Sequence, residues 1–193
     1  MKIKRVFAYI IDWAIVCLIS AFLVLIPALS YDQEKYIEYY KEYTTIPKQI
    51  TQETIDNKYS ILYKMTKLSK NSLVVEAVVT FSYFGIAAYL MKGQTLGKKI
   101  QKIRVVPQDG KNLNPHLFML RSIILTNLIP QIASICAILM LKEKQWITAS
   151  GIISNISLAI TLTLIAFLIF RNDERSLHDL ICKTKVIEAN KEK

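Results

Sequence analysis

The sequence predicts an all-α membrane protein with four transmembrane helices, N and C termini cytoplasmic, and a small cytoplasmic two-stranded β ribbon. Three observations lead there. Of 193 residues, 52% are apolar or aromatic, and they gather in four long runs. The formal net charge is +10, with 25 Lys and Arg against 15 Asp and Glu, and the basic residues gather between the runs. Two short stretches outside the runs alternate like strands. Five Gly, five Pro and three Cys exclude collagen-like, low-complexity and disulfide-framework classes. The chain reads as a single membrane domain over residues 1–193.

The runs justify the helices in order. Residues 6–29 hold one charge, Asp12, and residues 72–91 hold one, Glu76. Residues 117–141 hold Arg121 near their start, and residues 150–170 hold none. About 20 apolar residues cross a hydrocarbon core of roughly 30 Å, and a small soluble domain cannot bury four such runs. Lys2, Lys4 and Arg5 before the first run also fit a signal peptide. The length of the run, the Asp inside it and a weak cleavage site favour a retained helix. Pro130 is expected to kink the third span.

Orientation follows from Lys and Arg. The N-terminus carries Lys2, Lys4 and Arg5. The 92–116 loop carries Lys92, Lys98, Lys99, Lys102, Arg104 and Lys111, with Arg121 just beyond. The 171–193 tail carries Arg171, Arg175, Lys183, Lys185, Lys191 and Lys193. Four spans put these three regions on one side, the cytoplasm, where they face anionic lipid headgroups. The excess charge is therefore topology signal, and nucleic acid is not an expected partner. The 30–71 loop lies outside. Its Tyr36, Tyr39, Tyr40 and Tyr43 fall at i, i+3, i+4 and i+7, one face of a helix, and predict an amphipathic helix on the outer surface. Ile61, Met65 and Leu68 suggest a second helical piece leading into the second span.

The cytoplasmic loop opens Gly93-Gln94-Thr95-Leu96-Gly97-Lys98-Lys99. A Walker phosphate loop fails on spacing, because it needs four residues between its glycines and Ser or Thr after the Lys. Lys102 to Val106 alternates with β-branched residues, and Pro107 to Gly110 is a turn signal. Thr184 to Ile187 has similar character. The two segments are predicted to pair, stabilised by packing on the helix ends, since an isolated pair is marginal.

These residues carry a resemblance. The sequence resembles the RDD family of bacterial membrane proteins, named for an arginine and two aspartates. Arg5 and Asp12 match the arginine at the start of the first span and the aspartate inside it. Gly93 to Lys99, the valine-rich strand and the Asp109-Gly110 turn match the family's loop. Arg121 matches the arginine at the next helix entry. Arg175-Ser176-Leu177-His178-Asp179 and Thr184-Lys185-Val186 match its C-terminal motif. Asp179 matches the second aspartate, with Asp173 as a rival. The 30–71 loop is longer than the family pattern. The resemblance implies a multi-pass protein of the bacterial cytoplasmic membrane. It also implies transport, either cation/proton exchange with Na+, Li+ and H+ or movement of an unspecified ligand.

Arg5, Asp12, Arg121 and Asp179 are the candidates for an ion-binding site or a polar clasp. Asp12 lies about 9 Å into the first span and Arg121 about 6 Å into the third, at 1.5 Å per residue. An intramembrane carboxylate requires a partner, so Asp12 and Arg121 are expected to approach each other. Arg5, two turns from Asp12, is expected to meet lipid phosphate or Asp179. An arginine partner would lower an Asp pKa and weaken a proton-carrier role. Glu76 sits at the opposite end as a snorkelling or entry residue. Asn127, Gln131 and Ser134, with Ser154, Asn155, Ser157 and Thr161, predict a polar seam between the third and fourth spans. Gly93, Thr95, Gly97, Lys98, Lys99, Arg175 and His178 form the cytoplasmic motif.

Neither a cofactor motif nor a metal-ligand spacing is present, and the sequence predicts no enzyme. Two functions fit. One is a small transporter or exchanger, which four short-looped helices would support as a homo-oligomer; no inverted repeat is evident. The other is a non-transporting membrane scaffold or regulatory partner.

Overall fold

The computed structural model describes residues 1–27, 29–47, 49–110 and 114–189. Lys111, Lys191 and Lys193, counted above among the basic residues, lie outside them. Three helices are long and apolar enough to cross a membrane: Lys2–Val24, Lys70–Leu90 and Glu143–Phe170. Pro115–Leu125 and Leu128–Met140 pass the same test together, bent by 66°.

Helix α1 (Lys2–Val24) buries Ala8, Asp12 and Val16, spaced at i, i+4 and i+8 on one face. It begins and ends earlier than the apolar run, because residues 25–27 leave the helix for a turn at Pro27. The Val16 end of that stripe packs on α4 (Lys70–Phe81), where Val75 and Val79 meet Val16 in one apolar cluster. The second span continues through a π-helical stretch, Ser82–Ala87, into α5 (Ala88–Leu90). A π turn widens the helix and often accompanies a functional site. Here it buries the consecutive residues Tyr83, Phe84 and Gly85.

Between the first two spans, α2 (Gln33–Thr45) and α3 (Gln52–Leu68) form a helical hairpin. Asp32 caps α2 by accepting from the Lys35 amide at 3.0 Å, and Thr51 and Thr54 form a capping box on α3. The tyrosine stripe therefore packs on protein as well as facing outward. Tyr36, Tyr39 and Tyr43 are half-buried, Tyr40 is exposed, and the Lys64 ammonium lies 5.9 Å from the Tyr39 ring centre. Ile61 and Met65 are buried on α3 and Leu68 half-buried. Tyr63 joins Ala137, Ile138 and Trp146 in a cluster at this far end of the bundle.

The short helix α6 (Leu96–Ile100) leads to strand β1 (Ile103–Pro107), which pairs antiparallel with β2 (Thr184–Glu188). The register puts Val105 opposite Val186. The ribbon is held as expected from its pattern: Ile103, Val105 and Val186 pack beneath Ala8, Ala88 and Phe118.

The third apolar run is a broken span rather than one kinked helix. Helix α7 (Pro115–Leu125) ends at Thr126, and α8 (Leu128–Met140) starts after Asn127. Asn127 adopts a left-handed conformation, φ 54°, which Asn tolerates better than most residues. The break therefore precedes Pro130, which is the third residue of α8, where the missing N–H leaves no helical bond unmade. Helix α9 (Glu143–Phe170) starts earlier than its apolar run and buries Trp146. Helix α10 (Leu177–Ile181) then turns the chain into β2.

Candidate functional site

Two buried aspartates organise the ribbon end of the bundle. Asp12 is 1% exposed and accepts three hydrogen bonds. The Tyr83 hydroxyl donates at 2.7 Å, the Thr95 hydroxyl at 2.6 Å and the Gly97 amide at 2.7 Å. A carboxylate bonded in this way is held by charge-assisted bonds, and its three donors are all uncharged. The expected approach of Asp12 to Arg121 is overturned: Arg121 reaches Asp179 instead. The Gly97 amide and two hydroxyls already fill the Asp12 carboxylate, so it needs no arginine.

The glycine loop now has a physical reason. Gly93 has φ +81°, and a Cβ there would collide with the Val105 carbonyl. A Cβ on Gly97 would collide with the Ala8 carbonyl and come within 2.8 Å of Asp12 Oδ1. Glycine at 97 lets α6 press its amide onto the Asp12 carboxylate, while Thr95 supplies the second donor. Lys99 is exposed.

Asp179 is fully buried. Arg5 pairs with its Oδ2, and the Arg121 Nε and Nη2 both donate to Oδ1, at 3.0 and 2.9 Å. The Ser176 amide and the Thr184 hydroxyl complete the shell at 3.2 and 3.3 Å. Arg5 also donates to the Glu174 carbonyl. Burial alone would raise the Asp179 pKa, but Arg121 and Arg5 overcome it and hold the carboxyl well below the usual range. Arg121 Nη2 lies 3.2 Å from His178 Nε2. Arginine can only donate, so that nitrogen accepts. Burial, then Arg121, pushes the His178 pKa well below its ordinary value, so the ring is neutral and its proton sits on Nδ1. That Nδ1 has no hydrogen-bond partner among the described residues. Asp173 lies apart, paired on the surface with Arg171 and Arg175, each at 2.7 Å. Of the two rivals, only Asp179 joins Arg5 and Arg121. Arg175 also donates to Gln108 at 2.9 Å, tying the tail to the ribbon turn.

A cavity of about 360 Å³ opens beside this clasp. Arg5, Asp12, Lys98, Arg121, Ser176 and His178 line its charged end, and apolar side chains of α1, α7 and α9 line the rest. Lys98 is 9% exposed and makes no hydrogen bond or ion pair with the described residues. Burial, reinforced by Arg121, pushes its pKa down to about 7 against the opposing pull of Asp12 and Asp179. At the deeper end, Asn127 donates to the Thr161 hydroxyl at 2.7 Å and the Ser157 carbonyl at 3.4 Å. The predicted seam is thus three residues wide. Ser154 and Asn155 are exposed on α9, Gln131 and Ser134 are half-buried, and none of them joins the site. Glu76, half-buried on α4, does not line the cavity.

The sequence model of the RDD family matches residues 3–183, a range that includes Arg5, Asp12, Arg121 and Asp179. The chain belongs to the RDD family. Family membership and the apolar helices together point to a membrane protein. Comparisons with curated proteins and with solved structures give no match. In this RDD protein the arginine and two aspartates form two linked latches. Asp12 fastens α1 to the loop and to the second span, and Asp179 fastens the C-terminal segment to α1 and α7. Sequence reasoning missed Tyr83; Ser176 and Thr184 stand in the C-terminal motif but not among the candidate site residues. The only signal for Tyr83 was a phenol inside an apolar run, where its hydroxyl requires a partner.

Proposed function

We propose that this RDD protein is a four-span protein of the bacterial cytoplasmic membrane, with both termini in the cytoplasm, that binds and transports an acidic solute through the cavity beside the clasp. The observation that carries this is the Lys98 ammonium, buried at the cavity wall with no hydrogen-bond or ion-pair partner among the described residues. An isolated buried charge is costly, and an anion in the cavity would offset that cost. Three cations (Arg5, Lys98 and Arg121) border the cavity region against two carboxylates (Asp12 and Asp179), so the local charge favours an anion. The broken third span supports a binding role, since irregular backbone at membrane depth is tolerated where it lines a cavity. The basic loops support the assigned orientation.

Cation/proton exchange is less well supported. It needs a carboxylate free to take up a proton or a metal ion, whereas Asp12 is occupied by three donors and Asp179 by two guanidiniums. The test uses purified full-length protein in proteoliposomes under an imposed proton gradient. On this reading, adding Na+ or Li+ leaves proton flux at the level of protein-free liposomes. A cation-dependent flux lost in Asp12→Asn would overturn the anion reading in favour of exchange.

A further inference from the structure

The cavity does not end at its charged floor. It is flanked by α1 on one side and α9 on the other, and its lips are apolar and open. Val6 on α1 and Ile165 on α9 both line it and are 45% and 47% exposed. Between lips and floor the walls are Trp13, Phe84, Leu125, Leu164 and Leu168. From Arg5 to Trp13 the α1 wall rises about 12 Å at 1.5 Å per residue. The Asn127–Thr161 hydrogen bond closes the deeper end. A soluble anion would use the floor and leave these walls and lips uncovered.

Resting on the anion reading above, we infer that the ligand is an acidic single-chain amphiphile of the bilayer. Its carboxylate or phosphate head meets Lys98 at the cavity floor, and its acyl chain leaves between α1 and α9. One group marks the head site: the Lys98 ammonium, which lines the cavity and has no hydrogen-bond or ion-pair partner among the described residues. Arg5 and Arg121 border the same floor but are committed to Asp179, so Lys98 is the cation available for the head. The size suits a partial occupant: binding cavities for small molecules run from about 300 to 1,000 Å³, and a chain that emerges between the lips need not be enclosed along its length. The ligand reaches its site laterally, from the membrane leaflet adjoining the ribbon end, and needs no aqueous route through the bundle.

The chain carries its own reporter. It has two tryptophans; Trp13 lines this cavity, and Trp146 is packed against Tyr63 at the far end. Full-length protein with Trp146→Phe is placed in nanodiscs of phosphatidylcholine. It is titrated with chain-brominated palmitate, lysophosphatidylglycerol or lysophosphatidylcholine while Trp13 fluorescence is read. The acidic amphiphiles are expected to quench Trp13 saturably, and the zwitterionic one only in proportion to its amount in the bilayer. Lys98→Gln should weaken acidic binding at least tenfold, and Lys99→Gln should leave it unchanged. Equal quenching by acidic and zwitterionic chains, or unchanged affinity in Lys98→Gln, overturns the inference. Competition by inorganic phosphate separates the two levels. Phosphate raising the melting temperature through Lys98, with no saturable amphiphile binding, overturns the amphiphile and leaves the anion site standing. If neither phosphate nor any amphiphile acts through Lys98, both fall.

Discussion

Gly97→Ala probes the closest contact in the clasp. The added methyl would collide with the Ala8 carbonyl and reach within 2.9 Å of the Asp12 carboxyl carbon. Helix α6 must then retreat from α1, and the 2.7 Å bond from the Gly97 amide to Asp12 goes with it. A hydrogen bond to a charged group contributes about 1.5–3 kcal/mol, and forcing a methyl into a packed contact costs about 1–3 kcal/mol. The expected loss is the sum, about 2.5–6 kcal/mol, and larger if the Thr95 bond is dragged away too. Gly151→Ala is the control: nothing lies within 4 Å of its added methyl, and alanine is the better helix former by roughly 1 kcal/mol. Equilibrium unfolding of purified protein in mixed micelles reads both. Gly97→Ala is expected to unfold at markedly lower denaturant than wild type, with Gly151→Ala at or slightly above it. Coincident curves for the two variants would refute the account of why glycine stands at 97.

Other perturbations follow from the same geometry. Asp12→Asn keeps an acceptor but presents an amide to the Gly97 N–H or the Thr95 side, and should destabilise by about 1.5–3 kcal/mol in the same unfolding assay. Asp179 titrates below its ordinary value, so the unfolded chain binds more protons below about pH 4; its stabilisation is full above that pH and is lost as pH falls further. A melting-temperature profile should show this acid loss, and Arg121→Met should flatten it. Lys98 has the opposite character. Its folded pKa is lowered to about 7, the unfolded chain holds the proton up to about 10, and ligand-free stability should climb with pH between those values. Asn127→Gly keeps the left-handed turn and loses the Thr161 bond, whereas Asn127→Val also strains the backbone. The valine variant should melt lower, by about 1–2 kcal/mol more.

Much of this was legible because the signals were additive. Four apolar runs and the basic segments between them identify helices by sheer length, and the alternation at 103–107 and 184–188 identifies the ribbon. Pairing Arg5 with Asp179 was within reach, since both stand at the ribbon end. The partner of Asp12 was not, because a backbone amide and two hydroxyls do the binding and carry no charge for a pattern to display. Gly97 fixes that choice through an absent side chain, which no charge pattern displays. The expected kink at Pro130 is a break at Asn127, because proline fits the first turn of a helix and asparagine fits the left-handed turn before it. Gln131 and Asn155 have the spacing of a seam, but the 66° bend turns α8 away from the line that a straight third span would have followed.

On the proposed function, Asp12 and Asp179 are latches that hold the fold, and Lys98 is the group that binds an anion. The unfolding stability of Lys98→Met, measured without added ligand beside Arg121→Met, tests that division most directly. Replacing a buried ammonium that has no partner among the described residues with an apolar chain of similar length should raise stability by about 1–3 kcal/mol. Removing Arg121 from its buried pair should lower it by about 3–5 kcal/mol. A Lys98→Met protein that falls as far as Arg121→Met would show that the lysine belongs to the latch, and would contradict the claim that it serves a ligand.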